Sequence, residues 1–341
     1  MIKVGVVGFG LAGKVFHAPF IRMVEGFELT AIMRRSGEAD PKYPGVQFVR
    51  ALNELLAIPD LQLVVVATPN DTHVPIATQA LEAGKHVVID KPFTPTLPEA
   101  EQLVALAKRQ KRIVTVFQNR RWDGDFLTVR KLMNDGSLGR VVIYESHFDR
   151  FRPNLRGSWH EKPIPGMGLM FDLAPHLIDQ ALVLFGTPDA LSADLRKERD
   201  GTQVEDAFDI TFHYPRMRAF LRASPLTAAP GPRYWICGTT GTYSKYGLDP
   251  QEDAMKAGGD PTAPGWGREP EEMWGKLTTA DSTTTVPTIP GNYRPYYENV
   301  RDAILGRAEI AVTPEQALNV MRVMELSAES SQKGCKMQWP K

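Results

Sequence analysis

Lys91 follows the apolar run His86-Val87-Val88-Ile89 and a single acid, Asp90, and is locked from behind by Pro92. An ammonium held at a fixed place stabilises an oxygen that gains negative charge during a reaction. A surface turn at the end of a strand accounts for the same residues. Asp172 and His176 stand four apart, so a helix brings them to one face. An imidazole that titrates near neutrality can accept a proton and return it. On spacing alone, Asp172 reads equally well as a helix cap and His176 as a satisfied core histidine. The third chemical signal is Gly8-Phe9-Gly10-Leu11-Ala12-Gly13, a G-x-G-x-x-G pattern. Its first glycine permits a tight turn, its second lets a pyrophosphate approach the backbone, and its third lets helix pack on strand. The anion then meets free N–H groups at the positive end of a helix.

These residues need elements to position them. Apolar, β-branched runs at Val4–Val7, Leu29–Ile32, Leu63–Ala67, Val87–Ile89 and Ile113–Val116 alternate with helix-like stretches at Ala12–Val24, Asn53–Leu56, Val74–Leu81 and Leu97–Arg109. That rhythm predicts parallel strands joined by right-handed crossovers, an α/β Rossmann domain over residues 1–119. From about residue 120 the rhythm changes. Helix-like segments at Phe126–Met133 and Asp172–Phe185 frame a strand near Val141–His147. Strands follow at Leu191–Lys197, Asp206–Tyr214, Arg218–Ala223, Tyr234–Gly238 and Thr242–Tyr246, and helices at Tyr296–Leu305 and Pro314–Ser331. This predicts a second, α+β domain over 120–341 with a large, mostly antiparallel open sheet, its last helices able to pack back on the first domain. Residues 249–270, rich in Gly and Pro, read as a long surface excursion.

In an open parallel sheet, ligands bind beyond the carboxyl ends of the strands. Gly8 to Gly13, then Thr68, Pro69 and Asn70, then Lys91 all fall there, so Gly8, Phe9, Gly10, Leu11, Gly13, Thr68, Pro69, Asn70 and Lys91 are expected to line a dinucleotide. His73 opens the next helix and is either a cofactor contact or a plain helix-start histidine. The second strand ends in Met33-Arg34-Arg35-Ser36, where an NAD site usually carries Asp or Glu for the ribose hydroxyl. Two guanidinium groups suit a 2′-phosphate, so Arg34, Arg35 and Ser36 favour NADP(H) over NAD(H).

The chain has 341 residues and zero formal net charge, which argues against nucleic acid or an anionic membrane as partner. The start, "MIKVGVVGFG", is read as a strand and not a signal peptide. Cys237 and Cys335 form neither a metal spacing nor a disulfide framework, and no metal site is expected. The reading is a cytoplasmic protein.

The N-terminal G-x-G-x-x-G, the T-P-x-x-x-H of "ATPNDTH" and the run "AGKHVVIDKP" together resemble the family of glucose–fructose oxidoreductase, inositol dehydrogenase and MocA. That family's hallmark at this place is Glu-Lys-Pro. Asp90 replaces the glutamate, which puts a hydrogen bond in doubt but keeps the lysine and proline. The block from Gly166 to Pro188 is similar to the family's G-G-x-L-x-D-x-G-x-H-x-I-D, with Ala174-Pro175 departing from the usual Gly-Ser or Gly-Cys. A proline there is expected in the first helical turn, whose N–H groups lack intrahelical partners. The resemblance implies NAD(P)-dependent dehydrogenase activity. It makes His176 the general base, Lys91 the group that polarises the substrate oxygen, and Asp172 the residue that binds a substrate hydroxyl and orients the histidine.

Four further stretches, Gln118–Phe126, His147–Pro153, Gly231–Asp253 and Met273–Thr279, are similar to the NADP-dependent scyllo-inositol dehydrogenase branch. This implies a polyol, scyllo-inositol or its 2-keto form, as substrate. Arg121, Asp149, Arg150, Trp159 and Tyr234 are then candidate hydrogen-bonding residues of the pocket, each equally a surface or sheet residue. An aldose or another sugar-derived ketone is the alternative substrate, and a non-catalytic dinucleotide-binding sensor the alternative class. The resemblance further implies a homodimer or homotetramer formed through the open sheet.

Overall fold

The computed structural model describes residues 1–157 and 161–340. They form two units: residues 1–119 with 293–318, and residues 120–292 with 319–340.

The first unit is built on a six-stranded parallel sheet. Its strands are β1 (Ile2–Val7), β2 (Phe27–Met33), β3 (Gln47–Val49), β4 (Leu61–Val66), β5 (His86–Ile89) and β6 (Val114–Val116), in the order β3-β2-β1-β4-β5-β6. The order reverses between β1 and β4, so the crevice beyond their carboxyl ends is the topological switch point. Val64, Val65, Val66, Val87, Val88 and Ile89 are fully buried, as strands covered on both faces require. The connecting helices are α1 (Ala18–Met23), α2 (Leu52–Leu56), α3 (His73–Glu82) and α4 (Leu97–Gln110). In α4, Thr96 caps the helix and shares a reciprocal bond with Glu99, while Leu97, Ala100, Leu103 and Ala107 face the core. The helix after the glycine turn is not uniform. Residues Gly13–His17 form a π-helical turn, in which Ala18 N–H donates to the Gly13 carbonyl. It precedes Pro19, whose ring lacks the N–H that an α-helical continuation would use. α8 (Arg294–Ile304) belongs to this unit.

In the second unit nine strands form a mixed sheet. They are β7 (Val141–His147), β8 (Ala190–Arg196), β9 (Ala207–Tyr214), β10 (Met217–Ala223), β11 (Tyr234–Gly238), β12 (Thr242–Lys245), β13 (Gly275–Thr278), β14 (Thr283–Val286) and β15 (Met337–Gln338). The order is β14-β13-β12-β11-β7-β10-β9-β8-β15, antiparallel except where β10 pairs β7. Its helices are α5 (Gly124–Asn134), α6 (Leu169–Phe185) and α7 (Gln251–Lys256), with the larger part of α9 (Pro314–Lys333). β13 and β14 escape the sequence reading because their Thr- and Lys-rich edge positions are exposed and carry no apolar alternation.

Three readings of the sequence need correction here. Residues 249–270 are not simply a surface excursion: Asp249 and Gln251 are buried, and Lys245 forms a buried ion pair of 3.1 Å with Glu269. Pro175 does not lie in a first helical turn. Gly168, at φ 93°, starts α6 at Leu169, whose N–H donates to the Glu205 carbonyl, and so places Pro175 in the helix interior. An interior proline costs about 3 kcal/mol. Continuous burial from Leu173 to Ala181 offsets it. For the same reason Asp172 is not the helix cap: Gly168 holds that position.

Candidate active site and dinucleotide cradle

In the first unit the glycine turn has the geometry its sequence implies. Gly8 has φ 98°, and a Cβ on it would stand 2.2 Å from the Ala67 carbonyl oxygen. A Cβ on Gly13 would stand 2.1 Å from the Gly8 carbonyl oxygen. Both positions are therefore closed to any side chain. A Cβ on Gly10 would meet nothing within 4 Å. Space is thus left at the middle glycine, the position where a pyrophosphate approaches the backbone, and the turn fits a dinucleotide. Phe9 is buried edge-on against Tyr43 and Phe48, while Leu11 is exposed.

At the end of β2 the two arginines differ. Arg34 donates from Nε to the Ser36 carbonyl (2.7 Å) and from Nη1 to the Glu38 carbonyl (2.9 Å), and its guanidinium lies 5.8 Å from the Phe9 ring centre. Arg35 and Ser36 are exposed. Arg50, absent from the sequence reading, donates to the carbonyls of Arg34 and Gly37. The turn is thus shaped by two arginines and overlooked by a third.

At the end of β4, Thr72 donates its hydroxyl to that of Thr68 (2.7 Å), Pro69 is exposed and Asn70 is buried. His73 is the first residue of α3 and fully buried. Its Nδ1 lies 2.9 Å from the Pro92 carbonyl and its Nε2 2.9 Å from the Thr68 carbonyl. Burial pushes its pKa below the ordinary value, so the neutral ring donates to one carbonyl at a time. This corrects the expected cofactor contact: with both nitrogens engaged by backbone, His73 ties the β4 loop to the β5 loop. At the end of β5, the Lys91–Pro92 bond is cis, and Lys91 N–H donates to Asp90 Oδ1 at 2.8 Å.

In the second unit, α6 carries Asp172, partly exposed, and His176, only 4% exposed. The Phe148 ring stands edge-on to the imidazole at 6.3 Å between centres. One turn along, Asp179 receives the guanidinium fork of Arg121 at 2.7 and 2.6 Å. Arg121 is therefore half of a buried ion pair, which corrects its reading as a substrate ligand. Tyr234 is corrected likewise. It is fully buried, donates to Gln180 Oε1 at 2.8 Å, and accepts from Arg233. Arg233, buried between the rings of Phe148 and Tyr234, also meets Asp125 at 3.2 Å. Asp149 and Arg150 remain partly exposed. Asp149 accepts the Ser224 N–H at 3.2 Å and lies 3.3 Å from His147 Nδ1. Burial alone would raise the Glu252 carboxyl, but Arg120, Lys256 and Arg150 hold it at about 2. Trp159 lies outside the described residues.

Sequence reasoning missed His17, buried beside Asp90 and Tyr297, and the Arg233–Asp125 pair. A signal for His17 was present: it follows Gly13 at helical spacing. No local pattern marks Arg233.

Family models match almost the whole chain. The oxidoreductase-family NAD-binding Rossmann fold matches residues 2–118, and the C-terminal alpha/beta domain of the same family matches residues 130–338. The chain is 47% identical over 336 residues to the uncharacterized oxidoreductase YdgJ of Escherichia coli, covering 97% of this chain and 96% of that protein. It is 38% identical over 335 residues to the scyllo-inositol 2-dehydrogenase (NADP(+)) IolW of Bacillus subtilis, covering 97% and 94%. Among solved structures, the oxidoreductase YvaA of Bacillus subtilis superimposes with a TM-score of 0.94 at 36% identity, covering 99% of this chain and 98% of that one. The oxidoreductase YPO2259 of Yersinia pestis gives 0.92 at 43% identity, covering 100% and 97%.

Proposed function

Since the chain belongs to the oxidoreductase family of glucose–fructose oxidoreductase, inositol dehydrogenase and MocA, whose members are NAD(P)-dependent dehydrogenases, we propose that it moves hydride between NADP(H) and a cyclitol, scyllo-inositol or its 2-keto form. The observation that carries this reading is the likeness, along 97% of the chain, to an enzyme named for that reaction. Gly8, Phe9, Gly10, Leu11 and Gly13 would hold the pyrophosphate, Thr68, Pro69 and Asn70 would line its path, and Arg34, Arg35 and Ser36 would receive the 2′-phosphate.

The nicotinamide supplies the two-electron chemistry when bound. The chain must supply the proton and the charge. His176 takes the hydroxyl proton in oxidation and returns it in reduction. The Lys91 ammonium stabilises the oxygen as negative charge develops on it. Asp172 accepts a hydrogen bond from a substrate hydroxyl and orients the histidine. Lys91 belongs to the first unit, Asp172 and His176 to the second. Asp149 and Arg150, partly exposed, stay as polyol ligands in this reading. The enzyme works in the cytoplasm as a homodimer or homotetramer. The sheet face that carries Ile143, Phe220 and the exposed Trp235 is the contact surface, which light scattering of a Trp235→Glu variant would test.

The test of the activity is NADPH absorbance with purified protein and scyllo-inosose, repeated with NADH. Rapid loss of NADPH alone supports substrate and cofactor together. Equal loss of NADH removes the argument from Arg34 and Arg35. No loss with either sinks the cyclitol reading, and turnover of an aldose or another sugar ketone would replace it. NADPH binding without any turnover would favour a sensor.

A further inference from the structure

His17 is fully buried at the end of the π-helical turn, four residues beyond Gly13, and has no place in the chemistry described so far. Its Nδ1 lies 2.6 Å from the Tyr297 hydroxyl oxygen and its Nε2 3.6 Å from Asp90 Oδ2. The Phe117 ring packs against it at 4.6 Å between centres. The second Asp90 oxygen accepts the Lys91 N–H. A single line of polar groups therefore runs from Tyr297 through His17 and Asp90 to the backbone of Lys91, all within the first unit.

The protons on this line can be placed. Tyr297 is fully buried, and burial first, then Tyr296 and Asp90, push its hydroxyl well above the ordinary value. It keeps its proton and so has one to donate to the nitrogen 2.6 Å away. A neutral ring that accepts at Nδ1 must carry its own hydrogen on Nε2. That hydrogen faces Asp90. The titratable groups around this carboxyl are His17, Lys91 and His73. Burial raises the Asp90 carboxyl, yet those three hold it below its ordinary value. The separation of 3.6 Å exceeds a normal hydrogen bond.

We propose that His17 is a positioning residue for the reaction: locked by Tyr297, it presents Nε2–H to Asp90 and keeps that carboxylate charged and oriented at the base of Lys91. It touches neither substrate nor cofactor. The inference rests on the reading of Lys91 given above, so its test begins with measurements that need no substrate.

Nitrogen-15 spectra of the whole protein should show His17 with its hydrogen on Nε2 and none on Nδ1. An unprotonated Nε2 overturns the proposal. Carbon-13 titration of the Asp90 carboxyl should move up by about one pH unit in His17→Phe. An unmoved midpoint overturns it too. Should His17→Phe fail to fold, Tyr297→Phe carries the same titration, because it frees the ring proton to leave Nε2. In turnover, His17→Phe should lower kcat with an acid limb that rises in step with the Asp90 midpoint, while NADPH dissociation stays within about twofold. A loss equal at every pH marks a merely structural histidine and sinks the idea. If no cyclitol is turned over, the functional reading fails, and the two titrations still decide this one.

Discussion

In the first unit Gly8, Thr68 and Asp90 each stand just beyond a parallel strand, and backbone geometry sets what they present. Gly8 and Gly13 tolerate no Cβ, and His73 bridges the loops after β4 and β5 through their carbonyls. In the second unit His176 sits on α6 among paired side chains: Arg121 with Asp179, and Arg233 with Asp125, Gln180 and Tyr234. One half of the candidate machinery is a backbone cradle. The other is a helix face held by buried charge. The two should therefore fail in different ways when broken.

The largest effect should come from the helix face itself. His176→Ala removes the proposed proton carrier, so turnover should fall by roughly 10²- to 10⁴-fold with NADPH affinity nearly intact. Steady-state kinetics beside NADPH fluorescence titration separates the two quantities. Turnover near wild type would remove His176 from the mechanism. Next in size is the support beneath it. Arg121→Met leaves Asp179 buried without its fork and should cost about 3–5 kcal/mol of stability, read by denaturant melts. A loss below about 1 kcal/mol would mean that water enters and the pair is not load for the fold.

The contrast governs what the sequence reveals. The parallel strands, the glycine turn and the end of β5 are legible because each depends on a few neighbouring residues with one physical reason apiece. Asp172 and His176 are legible as a pair at helical spacing, but their surroundings are not. Arg121 and Tyr234 look like pocket residues in the sequence, yet are spent on Asp179 and Gln180, partners more than fifty positions away. Pro175 suggests a helix start, but the start is set by Gly168 and the Glu205 carbonyl. Side-chain pairing across long separations leaves no local period, so it stays hidden until the fold assembles it.

A third test uses two acids of the second unit that burial and neighbours drive apart. The Asp249 carboxyl is pushed up to about 6 by burial and then by Asp125, against the pull of its bonds from Gly124 and Gln251. A raised acid contributes stability that is present below its unfolded pKa, 3.8, and lost as pH rises through about 6. At about 1.4 kcal/mol per unit the loss is on the order of 3 kcal/mol. Glu252, held at about 2, has the opposite sign: its contribution is present above 4.5 and lost as pH falls through about 2. Melting temperature against pH should therefore show Asp249→Asn gaining on wild type from pH 4 to pH 7, and Glu252→Gln losing on it as pH rises from about 2 to 4.5. Parallel curves for all three proteins would show that neither acid is coupled to folding.

The smallest effect sharpens the backbone side of the comparison. Arg34 and Arg35 are adjacent but differently employed. Arg34 donates to two carbonyls of its own turn and lies near Phe9, so Arg34→Ala loosens the turn as well as removing a charge. It should weaken both cofactors, NADPH more than NADH. Arg35 is exposed, so Arg35→Ala subtracts only a guanidinium from the proposed 2′-phosphate site. NADPH should then bind about tenfold more weakly, with NADH unchanged. That loss should shrink as salt is added, because an exposed ion pair is screened. If Arg35→Ala weakened both cofactors equally, the discrimination would have to come from the turn that Arg34 and Arg50 shape, and the preference for NADP would rest on backbone geometry instead of on charge.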